Sequence, residues 1–159
     1  MTTVGARLDR LVQEREHDTY KSREKLSEPT VCPSCGAVFQ KGRWQWLERP
    51  AGAEEHTCPA CRRIEDRVPA GYVSISGDFF TQHKDEIMGL VHNQEDREKS
   101  GHPLNRLIDI VETDGGVEIT TTDMHLPRDI GVALEKAYEG DLDFHYEEES
   151  NILRVKWSR

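Results

Sequence analysis

From residue 71 onward the apolar positions follow two alternating periods, one of two residues and one between three and four. Tyr72, Val73 and Ile75 mark a short strand, and Ser76-Gly77-Asp78 behind it is a helix-start signal. Phe80, His83, Ile87 and Leu90 recur at three- and four-residue steps, so they line one face of a helix, which Ser100-Gly101-His102-Pro103 terminates. Two β-rich runs then flank Asp114-Gly115-Gly116, residues that accept the positive φ angles of a tight hairpin. Ile130, Ala133, Leu134, Ala137 and Tyr138 form a second helical stripe, starting near Asp123 or Pro127 and closed by Gly140. Leu142, Phe144 and Tyr146 alternate on one strand and Leu153, Val155 and Trp157 on the next, with Glu149-Ser150-Asn151 at the turn.

The predicted order is strand, helix, strand, strand, helix, strand, strand. Its first six elements match the ferredoxin-like split βαβ arrangement (βαββαβ), with one strand added at the end. Two helices on one face of the sheet would bury the stripes and leave the other face to solvent or a partner. The expected class is α+β: a four-cysteine zinc ribbon followed by a ferredoxin-like α/β sandwich.

The first part of the chain has no such regularity. Residues 1–28 mix six basic and six acidic side chains with few apolar ones. Leu8, Leu11 and Val12 would permit a short amphipathic helix, but the segment reads as a charged arm, mobile or ordered by docking. Glu28-Pro29 and Val31 open a second segment, 29–70, which ends at the joint Pro69-Ala70-Gly71. Residues 71–159 are the α+β domain.

Composition changes this picture in one respect. The chain has 159 residues, 35% hydrophobic and 32% charged, room for a small metal-stapled module beside one compact domain. Its net charge of −9 is unevenly spread: residues 1–70 balance at +1 and residues 71–159 at −10. This argues against a nucleic-acid clamp built from the whole molecule, because phosphate binding relies on clustered positive charge. Any RNA contact belongs to the first half. The acidic half is then a solvated surface or faces a basic protein. No run approaches the roughly 18 apolar residues of a membrane span, and no apolar segment follows Met1 as in a secretory signal. The expected location is cytoplasmic, with no membrane partner.

Four cysteines grouped as two pairs in such a chain favour metal over disulfides. Cys32-Pro33-Ser34-Cys35 and Cys58-Pro59-Ala60-Cys61 are two C-P-x-C knuckles. Each turn aims two sulfurs at one point, and two turns supply the tetrahedral shell that suits one structural Zn2+. Iron in the same four-sulfur geometry is the alternative, and thiol redox chemistry a third reading. The redox reading requires an exposed Cys-x-x-Cys at a helix start. Four thiolates leave no position for an activated water, so the metal would be a staple. Structural zinc contributes an apparent ~10–16 kcal/mol, more than this module's few apolar side chains would supply.

Lys41, Arg43, Trp44 and Trp46 stand between the knuckles, and Arg62, Arg63 and Arg67 follow the second. Indoles beside guanidinium groups suit stacking on looped or single-stranded RNA and contact with its phosphates. The competing reading has Trp44 and Trp46 packing on the metal site and the next domain. In a strand they would share one face, with Arg43 and Gln45 on the other. His83, His92, His102, His125 and His145 show no metalloprotease pairing and read as surface or core residues. No nucleophile elbow, P-loop or dinucleotide fingerprint is present, so neither an enzyme nor a small-molecule substrate is expected.

Several stretches carry a resemblance: Cys58-Pro59-Ala60-Cys61-Arg62, Gly71-Tyr72-Val73-Ser74-Ile75, and Ile108-Asp109-Ile110-Val111-Glu112 with Asp114-Gly115-Gly116-Val117. With Ala137-Tyr138-Glu139-Gly140 and the closing strand, the chain from Cys32 on resembles the large-ribosomal-subunit export adaptor family of nonsense-mediated-decay-type naming. Small bacterial relatives of that family are the nearer likeness, through HDTYKSREKLSEPTVCPSCGAVFQKGRWQW, residues 17 to 46. The likeness extends over most of the chain, with the cysteine pairs as its specific motifs. This chain is shorter than the adaptor, has fewer cysteine pairs and lacks the further domains and export signal, so nuclear export does not carry over. The resemblance implies contact with the large ribosomal subunit or its assembly.

Overall fold

A computed structural model describes residues 26–159, so nearly all of the predicted charged arm lies outside the described residues. The fold is α+β, with two sheets in succession. In the first, β1 (Thr30–Val31), β2 (Val38–Gln40), β3 (Arg43–Gln45) and β4 (Glu54–Glu55) pair in the order β3-β2-β1-β4, and helix α1 (Pro59–Asp66) follows. The second part runs β5 (Gly71–Ser76), α2 (Asp78–Gln82), α3 (Lys84–Gly101), β6 (Leu107–Thr113), β7 (Gly116–Thr121), α4 (His125–Tyr138), β8 (Asp141–Glu147) and β9 (Ile152–Ser158).

The larger sheet has the order β6-β7-β5-β9-β8, and its first three strands follow the split βαβ pattern. The strand added at the end does not extend an edge. β9 inserts between β5 and β8, parallel to β5 and antiparallel to β8. Side-chain character explains the placement. Leu153, Val155 and Trp157 on β9 are all fully buried, whereas β8 alternates half-buried Leu142, Phe144 and Tyr146 with exposed Asp141, Asp143 and His145. A strand bearing exposed charge is tolerated at an edge, where it also discourages pairing with another chain.

Period-2 burial on the strands and the helical stripes meet in one core. Val73, Ile75, Val117, Ile119, Leu153, Val155 and Trp157 face Phe80, Ile87, Val91, Leu126, Ile130 and Leu134. Each fully buried Val, Leu, Ile or Phe contributes about 1.5–3 kcal/mol by leaving water. The Trp157 indole N–H is satisfied within the core's rim, donating to the Glu139 carbonyl at 2.7 Å. Among the described residues no helix packs on the opposite face of the sheet, with Tyr72, Ser74, Glu118, Thr120, Arg154 and Lys156; there Arg154 lies 4.3 Å over the Tyr72 ring.

One predicted helix is two. Its stripe is interrupted at His83, which leaves helical geometry (φ −121°) and stacks its ring on Phe79 at 4.2 Å, so α2 ends and α3 begins around it. The Asp114-Gly115 hairpin and the 148–151 turn form where the sequence places them. The joint is not a loose linker: the Ala70 N–H donates to Thr121 and the Ala70 carbonyl accepts from Leu153, which stitches it into the sheet. Among the described residues no helix is long and apolar enough to cross a membrane.

Candidate metal centre

Both cysteine pairs are positioned by local backbone hydrogen bonding, though by two different devices. After β1, the Cys32 N–H donates to Ala37 and the Cys32 carbonyl accepts from Gly36, folding residues 32–37 into a tight knuckle that returns the chain into β2. Gly36 sits at φ 83°, which its missing side chain makes inexpensive. The second pair occupies the start of α1. Cys58 precedes Pro59, whose fixed φ suits the first helical position, and the Cys58 sulfur accepts the Cys61 N–H at 3.3 Å. The Cys58 N–H in turn donates to the Cys32 sulfur at 3.3 Å. The layout is therefore a knuckle, a hairpin and a helix start, not two equivalent knuckles.

The four sulfurs lie within 4.8 Å of one another, and Cys35 Sγ and Cys58 Sγ are 3.8 Å apart. A tetrahedral ion with metal–sulfur bonds of about 2.3 Å has sulfur–sulfur edges of about 3.8 Å. The donor set therefore fits one metal ion held by Cys32, Cys35, Cys58 and Cys61. It is the one such convergence of His, Cys, Asp and Glu ligand atoms among the described residues. Cys58-Pro59-Ala60-Cys61 does stand at a helix start, as a redox pair would. It lacks the required exposure, since Cys58 is fully buried, Cys61 nearly so, and Cys32 closes over them. The hydrogen bond with Cys58 holds the Cys35 thiol well below its usual range, while that same bond, reinforced by burial, pushes Cys58 up.

The wall of the centre comes from both parts of the molecule. Ala60 is buried together with Cys32, Cys58 and Cys61, and this cluster is packed against by Trp44 from the cysteine module and by Leu104 from the segment leading into β6. From that same segment Arg106 reaches in, its guanidinium Nη2 donating to Cys58 Sγ at 3.3 Å and Cys61 Sγ at 3.2 Å. Sequence reasoning missed Arg106 and Leu104. No local signal marks them, because Arg106 stands 45 residues beyond the nearer cysteine and reads as an ordinary charged strand start.

The residues proposed to touch RNA divide into two groups. Lys41 and Arg43 are exposed at the β2–β3 turn, where Lys41 (φ 55°) and Gly42 (φ 76°) reverse the chain and Glu28 accepts the Gly42 N–H. Arg62 is exposed on α1, and exposed Arg67 pairs with Asp109 at 3.5 Å. The other three are committed to structure. Arg63 is 8% exposed and donates to the Val68 carbonyl, closing the C-terminal end of α1. Trp44 is half-buried against Phe39 and the cysteines. Trp46 lies just past β3, and its indole is anchored on α3 by a hydrogen bond to the Lys99 carbonyl. Packing thus accounts for Trp44, and a hydrogen bond holds the exposed Trp46 in place.

Fold and site together define an α+β protein with four converging cysteines, three of them buried, that could hold a single metal ion. No protein-family model, curated protein or solved structure matches the chain.

Proposed function

We propose that the four cysteines hold one structural zinc, and that this cytoplasmic chain acts by binding the ribosome or RNA, not by catalysis. Four sulfurs complete a tetrahedral shell, so the ion would have no open position at which to activate water. Zinc is favoured because an all-thiolate tetrahedral set is the usual one for structural zinc sites. The observation that carries the binding reading is the exposed pair Lys41 and Arg43 on a hairpin whose Trp44 packs against the cysteine cluster. Phosphate contact needs cations accessible at the surface, as these two are. The resemblance to the large-subunit export adaptor family supports a ribosomal target over an unrelated RNA.

Sedimentation with ribosomal subunits at increasing salt tests this reading. Association that weakens as salt rises, and that Lys41→Ala with Arg43→Ala reduces, is the expected result. Recovery of the protein solely in the top fractions at low salt would sink it. Metal analysis of the purified chain should return about one zinc.

A second reading, a protein–protein adaptor, is favoured by the acidic edge of the larger sheet, where Asp141, Asp143, Glu148 and Glu149 are exposed. A basic protein partner retained by the Lys41→Ala/Arg43→Ala chain would select it.

A further inference from the structure

We propose that Arg106 is a positioning residue for the metal centre, and that through it metal loading fixes the cysteine module against the α+β domain. The inference rests on the structural-zinc reading above and adds to it a named group outside the ligand set.

Arg106 belongs to the α+β domain by its backbone. Its N–H donates to Thr122 Oγ1 at 2.9 Å, its carbonyl accepts the Thr122 N–H at 2.9 Å, and Thr122 Oγ1 donates to the Leu104 carbonyl at 2.6 Å. These bonds fix the segment before β6 onto the end of β7. The side chain then leaves its own domain and ends on two sulfurs of the other. It is only 8% exposed, and its Nε is buried without a partner. Among the described residues no carboxylate is paired with it, and its side-chain hydrogen-bond partners are Cys58 Sγ and Cys61 Sγ.

A guanidinium taken out of water needs an anion beside it. Four thiolates around a divalent ion are such an anion, with a formal charge of about −2 by simple counting, and an N–H donor on a metal-bound sulfur orients that ligand and withdraws electron density from it. The match is mutual: the metal–sulfur cluster compensates the buried cation, and the cation lowers the cluster's charge. Arg106 touches the pair on α1 and not the knuckle pair, so it sets the helix-borne ligands relative to β6. Leu104, two residues earlier, packs against the same cysteine cluster. Emptying the centre dissolves the compact anion, and the buried guanidinium loses the group it was placed to meet. The two parts of the chain then lose their buried charged connection and keep the exposed Arg67–Asp109 pair.

Zinc retention and cobalt spectra of the full chain test this, with Arg106→Met and Arg106→Lys beside the native sequence. Arg106→Met is expected to release zinc to a chromophoric chelator roughly 10–100-fold more readily, the usual consequence of removing such a partner. In the cobalt-substituted protein its sulfur-to-cobalt charge-transfer band should move to longer wavelength, because sulfurs without the donor give up electron density more easily; a purely structural role would not move that band. The joint at residues 68–71 should become more sensitive to protease in the zinc-loaded Arg106→Met chain. Arg106→Lys, whose single ammonium cannot bridge both sulfurs in the same way, should recover part of each effect. Equal zinc retention and an unshifted band in Arg106→Met would overturn the proposal. If that variant does not fold, Arg106→Lys decides alone: a few-fold weaker retention supports the proposal and native retention overturns it. A native chain that takes up neither zinc nor cobalt would overturn the zinc reading itself, and is recognised before any variant is compared.

Discussion

The Trp46 indole Nε1–H donates to the Lys99 carbonyl oxygen at 2.7 Å, across 53 positions of sequence. That carbonyl belongs to the last turn of α3, where helix acceptors have no partner within the helix. The tryptophan therefore satisfies a helix terminus and ties the cysteine module to the α+β domain in one contact. Trp46→Phe should cost about 0.5–1.5 kcal/mol in urea unfolding, the net worth of such a bond, since Trp46 is 37% exposed and little packing is lost. Its metal content should stay at the native level, and a fall in zinc would contradict the separation of these roles.

Loss of the metal should unfold one part of the molecule and spare the other. Cys58→Ser removes a buried ligand that also accepts the Cys61 amide, so zinc is expected to drop from about one per chain to none. The core around Trp157 lies entirely within the α+β domain. In a Trp44→Phe/Trp46→Phe background, the emission of Trp157 should keep its buried character while protease cuts residues 32–61. Simultaneous loss of both would show that the larger domain depends on the metal for its own fold.

Stability should also depend on Asp123. Burial pushes its carboxyl up to about 7, against the pull of the His125 and Leu126 amides at the start of α4, and the nearby Glu98 and Asp129 add like charge. The ordinary value is 3.8, so across the interval from about 4 to about 7 the native state retains a proton that the unfolded chain has lost. Stability from this group is thus greatest at the acid end and declines as pH rises through that window. Asp123→Asn keeps a side-chain acceptor for the helix start and removes the titration. Its urea midpoint should gain on the native one as pH rises from about 4 to about 7, and parallel curves would refute the assignment.

Two glycines should respond oppositely to alanine. A methyl group on Gly71 would overlap Pro127 Cγ and Thr121 Oγ1 and lie 2.7 Å from the Asp123 carbonyl, at the point where β5 meets the start of α4. Gly71→Ala should cost about 1–3 kcal/mol by overpacking. Gly89, exposed in α3, has nothing within 4 Å of such a methyl, so Gly89→Ala should gain about 0.5–1 kcal/mol from helix propensity. Thermal or urea midpoints of the pair check both signs.

Much of this architecture was legible because its cues are local. Asp114-Gly115 announces its hairpin, Ile130 and Leu134 fall on one helix face, and the two C-P-x-C turns carry their own geometry. What was hidden is what depends on partners distant in sequence. The place of β9 beside β5 follows from competition between two strands for the centre of a sheet, which alternation alone does not rank. Arg63 reads as a surface cation until the helix end it closes is known, and Arg106 has no motif because its partners are sulfurs folded from another part of the chain. The break at His83 was equally silent, since neither Gly nor Pro marks it.

The interior position of β9 has a consequence for the order in which a nascent chain matures. All four cysteines precede β5, so the metal ligands are made before any strand of the larger sheet. β5 pairs with β7 on one side but must wait for Ile152–Ser158 on the other. During synthesis the molecule can therefore be metallated early while its sheet closes last, and a pause before Ile152 leaves β5 with a bare edge of unpaired amides and carbonyls, open to the wrong strand.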